Sequence, residues 1–182
     1  MDGRTEAALR AESTIEQGRT RQSLETLYEA HAPAAHRLAF LLSNDSAIAE
    51  DIVQEAFARV VGHFTDLRHP DRFGGYLYRT IVNLVRGRHR RRLLEERFTR
   101  RERAGTSYIP DHAVALSQRD PLWRALLELP QRQRAVLFLR YYVDLTERET
   151  AEALDCSVSA VKSLSQRAMR SLHKEMEGDN DG

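Results

Sequence analysis

The chain has 182 residues, 41% of them hydrophobic and 30% charged, which is enough for one domain or two small ones. Its net charge of +1 excludes a strongly basic nucleic-acid binder, and no apolar run approaches the about 20 residues that cross a bilayer. The charged opening residues do not read as a signal peptide, and the single cysteine, Cys156, excludes an internal disulfide and a cysteine-rich zinc site, so a cytoplasmic protein without membrane insertion is expected.

No period-two alternation marks a strand, whereas helical spacing recurs, so the expected fold class is all-α. Residues 1–22 read as a mobile tail. Leu24, Leu27, Leu38 and Leu41 mark a first helix, with Pro33 expected to kink or split it. Asn44, Asp45 and Ser46 form a loop with N-cap candidates. In the next stretch, "EDIVQEAFARV", a helix gathers Val53, Ala56, Phe57 and Val60 on one side and Asp51, Gln54 and Glu55 on the other, ending near Gly62. The apolar side needs a core; the polar side is either a solvated face or a docking face. "GHFTDLRHPDRFGG" then makes a long connecting loop. A third helix carries Leu77, Ile81, Leu84 and Val85 inward, with Arg79, Asn83, Arg86 and Arg90 on one outer stripe.

Residues 104–120 have little periodicity and read as a flexible linker between two small helical domains, 23–103 and 121–176, followed by a tail at 177–182. Pro121 opens a short helix with Leu122, Leu126 and Leu127, and Pro130 suits the first position of the next, which carries Val136, Leu137 and Leu139 to about Tyr142. "TERE", from Thr146 to Glu149, is a capping box opening a helix through Leu154. After the "DCS" turn, Ser157 is a good N-cap for a last helix from Val158 to about Glu175. Val161, Leu164, Ala168 and Leu172 should face inward, and Lys162, Ser163, Gln166, Arg167 and Arg170 outward.

Short helix, tight turn and longer helix with a polar outer face is the helix-turn-helix pattern, whose second helix can enter a major groove. An ordinary pair of packed helices fits that pattern equally well. Between Arg86 and Arg103 stand nine Arg and three Glu, and only two of the 28 basic residues are Lys. Such arginine dominance suits bidentate phosphate and base-edge contacts, or reflects a GC-rich genome. Basic charge beside Phe64, Phe73, Tyr76 and Tyr78 suits single-stranded DNA, although a solvated basic face is the plainer reading. The pairs His31/His36 and His63/His69 lack the spacing of a two-histidine metal site. No phosphate loop, nucleophile elbow or acid–base pair stands out, so neither a catalytic residue nor a cofactor or metal is expected.

In this order, "LETLYEAHAPAAHRLAFLLSNDSAIAEDIVQEAF", "FGGYLYRTIVNLVRGRHRR", "LLELPQRQRAVLFLRYYVDLTERETAEAL" and "CSVSAVKSLSQRAMRSL" resemble the extracytoplasmic-function (ECF) sigma factors of bacterial RNA polymerase over residues 23–175. The resemblance implies a sigma region 2 domain, a linker threaded through the polymerase and a region 4 helix-turn-helix domain. It implies that Asp51, Gln54 and Glu55 face a coiled coil in the largest subunit of core RNA polymerase. His63, Arg79, Asn83 and Arg86 become candidates for capturing the melted minus-ten element. Ser159, Ala160, Lys162, Ser163, Gln166 and Arg167 become candidates for reading the minus-thirty-five element. Promoter DNA and an anti-sigma factor are the other implied partners.

The chain departs from the family pattern at several points. Tyr76 stands where a Trp is common, and Gly74–Gly75 should weaken the helix start by about 1 kcal/mol per Gly relative to Ala. Ser159 and Ala160 replace the usual Gly and Thr, which puts in doubt any promoter sequence inferred from relatives. A near-neutral chain should bind promoter DNA poorly alone and well when delivered by polymerase. A stand-alone helix-turn-helix regulator is the competing reading, and a resolvase-like enzyme is disfavoured for want of a catalytic constellation.

Overall fold

The computed structural model describes residues 24–63, 72–98 and 120–178, all helices and the turns between them. The tails, the loop at 64–71 and the linker lie outside the described residues. In chain order the helices are α1 (24–43), α2 (Ser46–His63), α3 (Phe73–Phe98), α4 (Pro121–Glu128), α5 (Gln131–Leu137), α6 (Glu147–Leu154) and α7 (Val158–Gly178).

Helix α1 runs through Pro33 without interruption, so the expected split does not occur. The proline ring sits on the exposed side, while Ala32, Ala35, Leu38 and Leu41 lock the other side into the core. The helix ends at Asn44, whose left-handed backbone (φ 54°) lets its N–H donate to the Phe40 carbonyl at 2.8 Å. Asp45 is the true cap of α2, accepting from the Ile48 N–H at 3.0 Å. Ile52, Val53, Ala56, Phe57 and Val60 of α2 and Phe73, Leu77, Ile81 and Val85 of α3 complete the core of this half.

Gly74 is buried where α3 begins, and a Cβ there would stand 2.8 Å from Cε1 of His31. A methyl group there would require the His31 ring to shift. Gly75 has open space where a Cβ would stand.

In the second half Asp120 caps α4, its carboxylate accepting from the Leu122 N–H at 2.9 Å, with Pro121 in the first turn. The buried residues of α4 are Trp123 and Ala125; Leu122 is exposed, and Leu126 and Leu127 are half-buried. Pro130 is the N-cap of α5 rather than its first residue, because its carbonyl accepts from Gln133 and Arg134. The helix widens into a π turn over Phe138–Tyr142, where the Val143 N–H reaches back to the Phe138 carbonyl. Both limbs of the capping box on α6 form: Thr146 accepts from the Glu149 N–H, and the Glu149 carboxylate accepts from the Thr146 N–H at 2.8 Å. Asp155 turns the chain with φ 49°, and the Ser157 hydroxyl accepts from the Ala160 N–H to open α7.

The two halves pack on each other. Helix α3 lies against α6, and the buried cluster runs unbroken from Leu38 to Ala168. Phe40 of α1 and Trp123 of α4 stack with centroids 6.4 Å apart. Arg37 of α1 lies over the Tyr142 ring and also donates to its hydroxyl.

Candidate nucleic-acid interface

Asp51 and Gln54 are exposed on the solvent side of α2, and Glu55 is half-buried beside them. This face is not free. Arg88 of α3 reaches across to Asp51 at 3.6 Å and Glu55 at 3.5 Å, while Arg59 pairs with Glu55 at 2.6 Å one turn along. Gln54 donates to Glu50 at 3.4 Å. The acidic cluster therefore carries its own counter-ions: Arg59 follows from the four-residue spacing within α2, whereas Arg88 belongs to another helix and that spacing could not reveal it.

On α3, Arg79, Asn83 and Arg90 are exposed as the stripe predicts. Arg86 lies on the same stripe but departs from it in contact. It is half-buried, and its Nη2 donates to the carbonyl of Leu154 at the end of α6. Burial pulls its pKa below the usual arginine value, repulsion from Arg132 adds to that, and Asp155 opposes it. The physical reason is tertiary: α6 covers the stripe midway along its length. Nearer the start of α3, a cleft of about 510 Å³ separates Arg72, Tyr76 and Arg79 from Arg148, Glu149 and Glu152 of α6. His63 closes α2, but its side chain lies outside the described residues.

The outer face of α7 presents Ser159, Lys162, Ser163, Gln166 and Arg167 to solvent, with Ala160 half-buried at the turn. Ser159 shares a hydrogen bond with the capping Ser157 at 3.0 Å, and its carbonyl accepts from the Ser163 hydroxyl. Lys162 pairs with Glu147 at 3.5 Å. Arg167 Nε donates to the Ser163 carbonyl at 3.3 Å, holding the side chain along the helix surface. Short α6, left-handed turn and longer α7, with amide, hydroxyl and cationic groups on one outward face, have the chemistry of a major-groove reader.

The Sigma-70 region 2 model matches residues 27–93, and the Sigma-70 region 4 model matches residues 119–172. The RNA polymerase sigma-E factor of Streptomyces antibioticus is 33% identical over 138 residues, covering 73% of each chain. The chain belongs to the ECF sigma factors. This sigma factor is also 28% identical over 154 residues to the ECF sigma factor SigW of Bacillus subtilis, covering 78% of this chain and 82% of SigW.

Two solved structures share the fold. The sigma factor RpoE of Bartonella quintana, in complex with the anti-sigma factor NepR, matches with a TM-score of 0.65 and 21% identity, covering 84% of this chain and 96% of that one. CnrH in complex with the cytosolic domain of CnrY matches with a TM-score of 0.59 and 24% identity, over 87% of this chain and 90% of that one. As a sigma factor the chain acts with RNA polymerase in transcription initiation and binds DNA. No helix among the described residues is long and apolar enough to cross a membrane.

Proposed function

We propose that this sigma factor is a detachable, non-enzymatic specificity subunit of the cytoplasm with two reading domains, at residues 23–103 and 121–176. Asp51, Gln54 and Glu55 meet the coiled coil of the largest polymerase subunit, with Arg88 as part of the same charged surface. Arg79, Asn83 and Arg86, together with His63, hold the melted minus-ten element. Extruding bases costs a few kcal/mol, which stacking and phosphate contacts on α3 must offset. Ser159, Ala160, Lys162, Ser163, Gln166 and Arg167 read the minus-thirty-five element from α7.

The observation that carries this reading is the co-occurrence of both matched regions with a solvent-facing polar surface on α7. An anti-sigma factor is the expected inhibitor, since the RpoE of similar fold is found with one. The test is reconstitution with core polymerase, followed by selection of transcribed promoters from a random library. Enrichment of a two-part promoter is expected. Failure to co-migrate with core at micromolar concentration would overturn the assignment.

A further inference from the structure

Helix α6 carries three carboxylates, Glu147, Glu149 and Glu152, against one cation, Arg148. Two of the three are engaged at their own helix. Glu149 closes the capping box, accepting from the Thr146 N–H at 2.8 Å and from the Thr146 hydroxyl at 2.6 Å. Glu152 faces Arg148, one turn earlier, at 3.6 Å. Glu147 instead reaches off the helix. Its Oε2 lies 3.5 Å from Nζ of Lys162 on α7. An acid in the first turn suits the positive end of α6, but that position alone does not require a partner on the next helix.

The other cations on the outer face of α7 are tied differently. Arg167 and Arg170 each donate Nε–H to a carbonyl one turn back, that of Ser163 and that of Gln166. Such a bond uses one of the five donors of a guanidinium and leaves its charge unopposed. The charge of Lys162 is opposed by a carboxylate from the neighbouring helix. The Lys162 and Glu147 side chains are 60% and 40% exposed, so the pair is weak and contributes little to folding. On DNA it matters more. Neutralised phosphates supply the affinity that is independent of sequence. For Lys162 to meet a phosphate its ammonium must leave Glu147, and the carboxylate is then left unpaired beside a polyanion.

We propose that Glu147 is a brake on duplex binding by α7, a positioning residue that competes with DNA phosphate for the ammonium of Lys162. The inference rests on the reading of α7 as the helix that meets the duplex. The brake acts on a phosphate contact, so it lowers affinity for every sequence by one factor. Base preference, carried by groups such as Arg167 and Gln166, is left as it is. A reading helix restrained in this way holds bulk DNA weakly until contacts elsewhere in the complex fix it at a promoter.

The experiment titrates holoenzyme, reconstituted from the full chain and core polymerase, onto a labelled promoter taken from the random-library selection and onto the same duplex with its minus-thirty-five element scrambled. Glu147→Gln should tighten both about 3- to 10-fold at about 0.1 M salt, the scale of one phosphate contact. In a Lys162→Ala background the same substitution should give a gain of less than about twofold. Glu175→Gln removes the same charge about 20 Å along α7 from Lys162, beyond the screening length, and should also stay below about twofold. Unchanged melting temperatures show that each variant keeps its fold. No gain from Glu147→Gln overturns the proposal, as does a gain confined to the unscrambled promoter. So does a full gain in the Lys162→Ala background, which would mean that the carboxylate repels DNA directly. An equal gain from Glu175→Gln overturns it as well, as an effect of net charge. If Lys162→Ala and Arg167→Ala each leave both affinities unchanged, the reading of α7 itself fails, and the brake falls with it.

Discussion

Arg88 of α3 stands 3.6 Å from Asp51 of α2, and the same guanidinium spans to Glu55 at 3.5 Å. Both carboxylates are at least one-third exposed, so these pairs contribute on the order of 0–1 kcal/mol to folding. Their greater consequence is for the character of the α2 face, which is zwitterionic rather than purely acidic. Asp51→Arg with Glu55→Arg should weaken core binding at least tenfold, but it also sets four cations together, Arg59 and Arg88 included. Adding Arg88→Glu restores opposite charges within the protein. The triple variant should regain the parent melting temperature to within a few degrees and still fail to bind core. Recovery of core binding by the triple variant would show that the carboxylates serve folding and not docking.

The adjacent glycines at the head of α3 should respond in opposite directions to one substitution. Gly75→Ala adds a methyl group in open space and should stabilise by up to about 1 kcal/mol. Gly74→Ala forces its Cβ against the His31 ring, which Phe73 and Tyr78 hold from other sides. A cost of about 1–3 kcal/mol is expected. Urea denaturation of the two variants checks the sign of each, and equal stabilisation by both would show that the His31 ring yields freely.

Much of this architecture was legible in local pattern. The capping box at Thr146, the Ser157 cap and the inward face of α7 are properties of a few consecutive residues, and those residues determine them. The polar face of α7 was legible for the same reason: a 3.6-residue period separates Val161 and Ala168 from Lys162, Gln166 and Arg167 within one helix. What eluded the sequence depends on contacts between distant segments. Trp123 is one aromatic in a short leucine-rich helix and so carries no period, yet it is buried against Phe40. Arg86 and Arg88 belong to one arginine-rich run, and only tertiary packing sends Arg88 to α2 and Arg86 to α6. Gly74 and Gly75 are identical letters side by side, and only the position of His31 distinguishes them.

His31 and Tyr78 make stability fall at both ends of the pH scale. The His31 Nδ1 of α1 and the Tyr78 hydroxyl of α3 lie 3.2 Å apart, partly buried. Burial pulls the His31 pKa below its usual 6.5 and pushes that of Tyr78 up to about 12. A depressed histidine means that the unfolded chain binds the proton more readily, so its contribution is present above pH 6.5 and is lost as pH falls below it. A raised tyrosine means that the unfolded chain releases its proton first, so its contribution holds below pH 10 and is lost between about 10 and 12. Tyr78→Phe should remove the alkaline loss while retaining the acidic one. Chemical denaturation across pH 5–12 checks this. An alkaline limb unchanged in Tyr78→Phe would assign that loss to other groups.

On α7, Arg167 and Lys162 should contribute to promoter binding in different ways. A guanidinium can make two hydrogen bonds to one guanine edge, whereas an ammonium acts as a compact charge, and here Lys162 is also shared with Glu147 at 3.5 Å. Arg167→Ala should therefore cost about 1–3 kcal/mol on the preferred minus-thirty-five sequence and flatten the preference at one base position. Lys162→Ala should weaken all sequences about equally and reduce the slope of log affinity against log salt by roughly 1. Ser159→Gly with Ala160→Thr restores the usual family residues at the turn; it should change which promoters are chosen without changing that slope, since no charge is added or removed. Anisotropy titrations of holoenzyme on a promoter panel at several salt concentrations separate the three behaviours. If Arg167→Ala lowered every affinity by one common factor, Arg167 would be a phosphate contact, and base discrimination would have to come from Gln166, Ser163 and the residues at the turn.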